Sequence, residues 1–175
     1  MSEERIPTES QCLEFLKRMG CTPNIIEHCI FVKEIAIDLA KRCKAHVNLE
    51  LVIAGALLHD IGRSVTHNVA HGVIGGKIVR ELGLSEAVAR IVERHVGGGI
   101  TAEEARNLGL PERDYIPETL EEKIVCIADK LVAHNRRTKI EVEIAKLQEK
   151  HLNTAAERVR ALYTELAGYG CVDLE

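Results

Sequence analysis

Aromatic residues are almost missing from this 175-residue chain: two Phe, three Tyr and no Trp. A core of this composition must be aliphatic, built from Ile, Leu, Val and Ala. No apolar run reaches the ~20 residues that a membrane-spanning helix needs, which argues against a membrane partner. A basic excess is lacking too. The formal net charge is −4, whereas a broad nucleic-acid footprint usually requires a basic face, so DNA is not an expected partner. Residues 1–20 mix acidic and basic positions and contain no apolar h-region, which argues against a signal peptide. A cytoplasmic location is the default expectation. None of the six cysteines forms a C-x-x-C pair, which speaks against a structural zinc site. Cys29 and Cys126 lie among apolar residues and read as small hydrophobes, while Cys12 and Cys21 flank a short turn and could meet.

What the chain does have is helical periodicity from end to end. Its length suits one domain with its own core, here residues 1–175 with a core over about 23–135 and a helical tail over about 136–170. Residues 9–19 predict a short amphipathic helix, with Cys12, Leu13, Leu16 and Met19 on one face and Gly20 ending it. Thr22-Pro23 is a strong helix start, and the helix should run to about Lys44 with Ile26, Cys29, Ile30, Lys33, Ile37, Leu39 and Ala40 on a mostly apolar side. Asn48 caps the next helix. Further helices are expected from Ala70 to Leu82, from Ser85 to about Val96, and from Leu120 to about His134. Thr101 with Glu104, and Thr119 with Glu122, fit capping boxes. Gly97-Gly98-Gly99 predicts a mobile loop. Two weaker helices, Lys139–Leu152 and Thr154–Leu166, follow a linker at Asn135–Thr138. No strand and no internal repeat is expected.

The stretch that organises the rest is Leu51–Arg63, LVIAGALLHDIGR. Eight residues without a polar side chain read as a helix buried nearly all round, with His59 and Asp60 in its last turn and Gly62 as its stop. Burying an imidazole and a carboxylate is unfavourable unless each finds a partner. A His–Asp hydrogen bond that fixes the helix end is one solution, and a bound metal ion is another. Asp129 repeats the anomaly in CIADK, and His28, His71 and His95 fall on three further helices. His and carboxylate donors without Cys form a hard-to-borderline set suited to Mn, Fe, Ni, Co, Zn or Mg.

His28, His59-Asp60 and Asp129, in that order, resemble the H…HD…D signature of the HD-domain metal-dependent phosphohydrolases, and HDIGR is similar to their HDIG variant. The resemblance covers about residues 23–135. It implies an all-α HD-type helical bundle with a C-terminal extension, and one or two divalent metal ions. His28, His59, Asp60 and Asp129 would hold the first ion. His71 and His95 would hold a second, with Asp60 bridging. The implied activity is hydrolysis of a small-molecule phosphate ester, a nucleotide or cyclic nucleotide, with Asp60, Arg63 and Lys130 in catalytic roles. Arg63 offers a planar fork to phosphate oxygens and Lys130 a point charge; the plain alternative for both is a surface salt bridge. Two departures narrow the resemblance. Val96 follows His95 where the cyclic-dinucleotide branch carries a second His, and no GYP motif occurs. Arg63 stands where the mononucleotidase branch carries a Glu. His67 either meets substrate or tunes His71, or is a solvated loop residue. His46 and His151 receive no role, and His134 reads as a helix-end residue. A non-catalytic nucleotide-binding module and a purely structural helical protein are the rival readings. A homo-oligomer stays open.

Overall fold

The computed structural model describes residues 5–174; residues 1–4 and 175, the ends of the expected 1–175 span, lie outside the described residues. Nine α-helices dominate it: α1 (Glu9–Arg18), α2 (Pro23–Arg42), α3 (Leu49–Leu58), α4 (His71–Glu81), α5 (Glu86–Glu93), α6 (Ala102–Asn107), α7 (Leu120–Lys130), α8 (Ile140–Glu149) and α9 (Asn153–Gly168). The fold is all-α, as the periodicity predicts. No helix among the described residues is long and apolar enough to cross a membrane.

The helix starts follow the capping chemistry. Thr22 accepts a hydrogen bond from the Ile25 N–H and Asn48 one from the Leu51 N–H. Complete capping boxes close α1 (Thr8–Gln11), α6 (Thr101–Glu104) and α7 (Thr119–Glu122). Each such cap is worth about 1 kcal/mol because it satisfies N–H groups that the helix leaves unpaired.

α3 is the hub. It packs against α1, α2, α5 and α7, and Val52, Ala54, Ala56, Leu57 and Leu58 have no exposed surface. Its two sides feed two apolar clusters. Val52 and Ala56 join Val32, Leu39, Ile124, Val125, Ile127 and the C-terminal residues Ile144, Val159 and Leu166. Ala54, Leu57 and Leu58 join Leu16, Cys29, Ile61, Val79, Val88 and Val92. The buried side of α2 is centred on Val32, Ile35 and Ala36, with Ile26, Ile30 and Ile37 only partly covered.

Four local expectations need correction. α3 ends at Leu58, and Asp60 to Ser64 turn through a 3-10 helix (Ile61–Ser64), so Gly62 is not a left-handed stop. Its reason is close approach: a Cβ there would lie 1.8 Å from the His71 carbonyl oxygen. Gly97-Gly98-Gly99 is not an open loop. Gly98 and Gly99 are buried, and a Cβ on Gly98 would meet Arg158 and Val159 of α9 at 2.9–3.0 Å. α7 stops at Lys130, and β1 (Val132–Ala133) pairs antiparallel with β2 (Arg136–Arg137) through a turn at His134 and Asn135, both with positive φ. His134 is therefore a turn residue, not a helix end. Finally, Cys12 and Cys21 are free and buried, while Cys43 after α2 is bonded to Cys171 after α9.

Candidate metal centre

α3 delivers His59 at its C-terminal end and Asp60 one residue later. α2 presents His28 from its second turn, α4 starts at His71, His95 follows the end of α5, and Asp129 sits one residue before the end of α7. All six of these expected ligands are brought together. Asp60 divides its two oxygens between two histidine pairs. Oδ2 lies 3.5 Å from Nε2 of both His28 and His59, and Oδ1 lies 3.4 Å from His71 Nε2 and 3.3 Å from His95 Nε2. Asp129 Oδ1 stands 3.0 Å from His28 Nε2 and 3.4 Å from His59 Nε2. Three overlapping triads have ligand atoms within 4.8 Å of one another: His28-His59-Asp60, His59-His95-Asp129 and Asp60-His71-His95.

The other ring nitrogen of three histidines is already engaged, and in each case by a carbonyl three residues earlier. His59 Nδ1 faces Ala56 O at 2.5 Å, His71 Nδ1 faces Asn68 O at 2.8 Å, and His95 Nδ1 faces Val92 O at 2.6 Å. Ala56 and Val92 belong to the last turns of α3 and α5, where helix carbonyls lack intrahelical donors. A proton on Nδ1 satisfies each carbonyl and leaves the Nε2 lone pair aimed inward, the arrangement seen when imidazole serves as a ligand. It also leaves a problem. His59 Nε2 is buried with no hydrogen-bond partner, and His71 and His95 bring their Nε2 atoms within 3.1 Å of each other. Acceptor-rich atoms packed this closely need a proton or a cation between them.

Charge distribution agrees. Burial works against both carboxylates, but the His59 charge beside Asp60, and the Lys130 charge beside Asp129 with a hydrogen bond from His28, outweigh it and hold both well below the usual range. Burial also opposes a charge on His59, yet Asp60 and its other neighbours raise its pKa well above the ordinary value. Burial pushes His95 down to about 4, and the His59 charge adds to that.

The two cationic candidates differ. Arg63 lies at the cleft mouth with its side chain 31% exposed, its Nε 3.2 Å from Asp60 Oδ1 and its Nη1 donating to His67 O at 3.3 Å. The opening, a cavity of about 350 Å³, is lined by Asn24, Ile25, His28, Asp60, Arg63 and His67. Lys130 does not face it. Its buried ammonium donates to His95 O (2.7 Å), Asp129 Oδ2 (3.0 Å) and Cys126 O (3.4 Å), so it has neither the surface position nor the open donor that phosphate contact requires. It holds Asp129 and the end of α5 instead. Asn24, which no sequence motif singles out, precedes His28 by four residues and so shares its helix face. His67 reaches the mouth as an exposed loop residue, and His46 is exposed and apart.

The HD-domain family model matches residues 25–134, a span that begins three residues before His28 and ends five after Asp129. The chain belongs to the HD-domain family. Similar proteins include an uncharacterized protein of Methanocaldococcus jannaschii, 50% identical over 80% of this chain and 84% of its own length. They also include a tRNA (cytidine(56)-2'-O)-methyltransferase of Thermoplasma volcanium, 44% identical over 93% of this chain. The chain spans about half of that methyltransferase, 47% of its length. Among solved structures, the HD domain of the L. monocytogenes phosphodiesterase PgpH in complex with cyclic-di-AMP superposes with a TM-score of 0.56 at 18% identity, covering 94% of this chain and 99% of that one. That likeness concerns the fold.

Proposed function

We propose that this HD-domain chain is a divalent-metal-dependent phosphohydrolase acting on a phosphate ester, with a nucleotide or cyclic nucleotide as the substrate class. The observation that carries the reading is the unpartnered, fully buried Nε2 of His59, aimed at two carboxylates held ionised. His28, His59, Asp60 and Asp129 would hold one ion; His71 and His95, together with Asp60, would hold a second. A divalent ion there supplies a Lewis acid for a phosphoryl oxygen and makes water a competent nucleophile near neutral pH.

The chain's own groups do the rest. Ala56, Asn68 and Val92 fix the imidazole rings through their carbonyls, so that little reorganisation accompanies catalysis. Lys130 keeps Asp129 charged and in place. Arg63 stands beside Asp60 at the mouth, where its guanidinium can turn from the His67 carbonyl to the outer phosphoryl oxygens and stabilise the charge that gathers there. Ile25 gives the mouth an apolar wall, and Asn24 and His67 give it hydrogen-bonding groups.

A nucleotide-type phosphodiester is further supported by two relatives' names, a phosphodiesterase crystallised with cyclic-di-AMP and the ribonuclease Y of Acidothermus cellulolyticus, 26% identical over 83% of this chain. A non-catalytic binding module would not need every ligand position filled, and none is missing here. The same reading treats α8 and α9 as part of one HD-type domain, since Ile144, Val159 and Leu166 share a cluster with α2, α3 and α7. The test is a panel of nucleoside monophosphates, cyclic nucleotides, dNTPs, cyclic dinucleotides and pyrophosphate, assayed with Mn, Co, Ni and Mg. Phosphate release or diester opening that needs both added metal and Asp60 supports the proposal. A metal-loaded protein inert on the whole panel counts against it.

A further inference from the structure

A second concavity, of about 380 Å³, lies at the C-terminal end and shares no lining residue with the His/Asp cluster or its mouth. Arg42, Arg137, Lys139 and Thr138 line it together with Leu131, Tyr163, Val172 and Asp173. Among the described residues its lining carries two arginines, Arg42 and Arg137, each paired with an aspartate, Asp173 and Asp38. We propose that this cleft is a second ligand site, one that takes a phosphate-bearing small molecule of nucleotide size.

The residues suit such a ligand. Arg42 Nη2 meets Asp173 at 2.7 Å and Arg137 Nη1 meets Asp38 at 2.9 Å, but Asp173 is 85% exposed and Asp38 46%. Ion pairs this wet are weakly held. A phosphate dianion between the two guanidinium forks can engage them with paired hydrogen bonds and displace the carboxylates. Leu131, Val172 and the Tyr163 ring form an apolar side for a sugar or base, and the volume falls in the ~300–1,000 Å³ range of small-molecule sites. The walls are tied together. Arg42 precedes Cys43 and Val172 follows Cys171, so the disulfide joins the two sides covalently, and the Tyr163 hydroxyl donates to Asp173 O at 2.7 Å. Leu131 lies two residues beyond Asp129 on the α7 exit, which gives an occupant of this cleft a short path to the metal centre.

Binding of AMP, inorganic phosphate and adenosine to the full oxidised chain, read by calorimetry and thermal shift, tests the proposal on wild type, Arg137→Glu, Arg42→Gln and Asp60→Ala. With metal removed by a chelator, so that only this cleft is read, AMP should bind wild type and Asp60→Ala equally, and either arginine variant should weaken it by about 10- to 100-fold, the loss of one or two hydrogen bonds to a charged group. Phosphate should compete with AMP for this site. Loss of AMP binding in Asp60→Ala, undiminished binding in both arginine variants, binding of adenosine as tight as AMP, or no binding of any probe would each overturn it. Both arginine side chains are part-exposed, so the substitutions leave the core untouched.

Discussion

The α3–α4 layer and the α8–α9 layer are built on different terms. The first buries ionisable groups in an aliphatic core and packs its glycines closely: Gly62 against the His71 backbone, Gly72 against the Val96 side chain and Gly75 against the Val92 side chain. The second joins the same apolar cluster through Ile144, Val159 and Leu166, but it is fastened by exposed ion pairs such as Lys123–Glu165 and Arg160–Glu141 and by one disulfide. Where polar atoms converge, placement must be accurate, and glycines make that placement possible. Where no ionisable group is buried, ordinary helix packing suffices. Each variant below acts on one layer and should leave the signature of the other intact.

The largest effect is expected at Gly62. A Cβ 1.8 Å from the His71 carbonyl oxygen cannot be accommodated without moving α4, so Gly62→Ala should cost about 4 kcal/mol or more, at the extreme of single substitutions, and release metal. Denaturant unfolding together with metal analysis checks this; a stable, metal-replete variant would show that the turn yields. Next is Arg63→Ala, which should keep fold and metal yet lower turnover by about 10²–10³, the typical loss of one preorganised donor. Arg63→Lys should recover part, since Lys keeps the charge but not the fork. Wild-type turnover in Arg63→Ala would remove this residue from the proposed chemistry.

In the other layer, the double variant Cys43→Ser/Cys171→Ser opens a link between residues 128 apart in sequence and should cost about 2–4 kcal/mol of stability while metal content stays constant. Loss of metal there would mean that the layers are mechanically coupled. The smallest effect is expected at Gly168, the last residue of α9. A Cβ there would meet nothing within 4 Å, so Gly168→Ala should stabilise the chain by up to about 1 kcal/mol, readable as a small rise in melting temperature.

The same contrast explains what the sequence reveals. His59-Asp60 and Asp129 stand out because ionisable groups interrupt apolar runs, and the capping boxes stand out because their spacing satisfies a fixed number of N–H groups. The ring orientations do not stand out, since the acceptors are backbone carbonyls that carry no sequence identity. The direction of Lys130 depends on where α5 ends, because His95 O is its shortest contact. The turn at His134-Asn135 carries a weak signal, an Asn with positive φ, between strands of two residues. The Cys43–Cys171 pair is illegible at that separation, while the nearer Cys12 and Cys21 offered a false match.

Metal content per folded chain tests the central claim most directly. Wild type prepared with Mn, Co, Ni or Zn should retain about one or two ions, and binding should raise its melting temperature, because a ligand specific to the folded state stabilises it. Lowering the pH should weaken binding: His59, whose pKa is raised without metal, must surrender its proton to bind, so acid favours the metal-free form. Asp60→Ala should lose nearly all metal with its helical content preserved, and His71→Ala or His95→Ala should lose about one ion of two. A folded wild-type chain that takes up no metal and shows no shift in melting temperature with any of these ions would contradict the account.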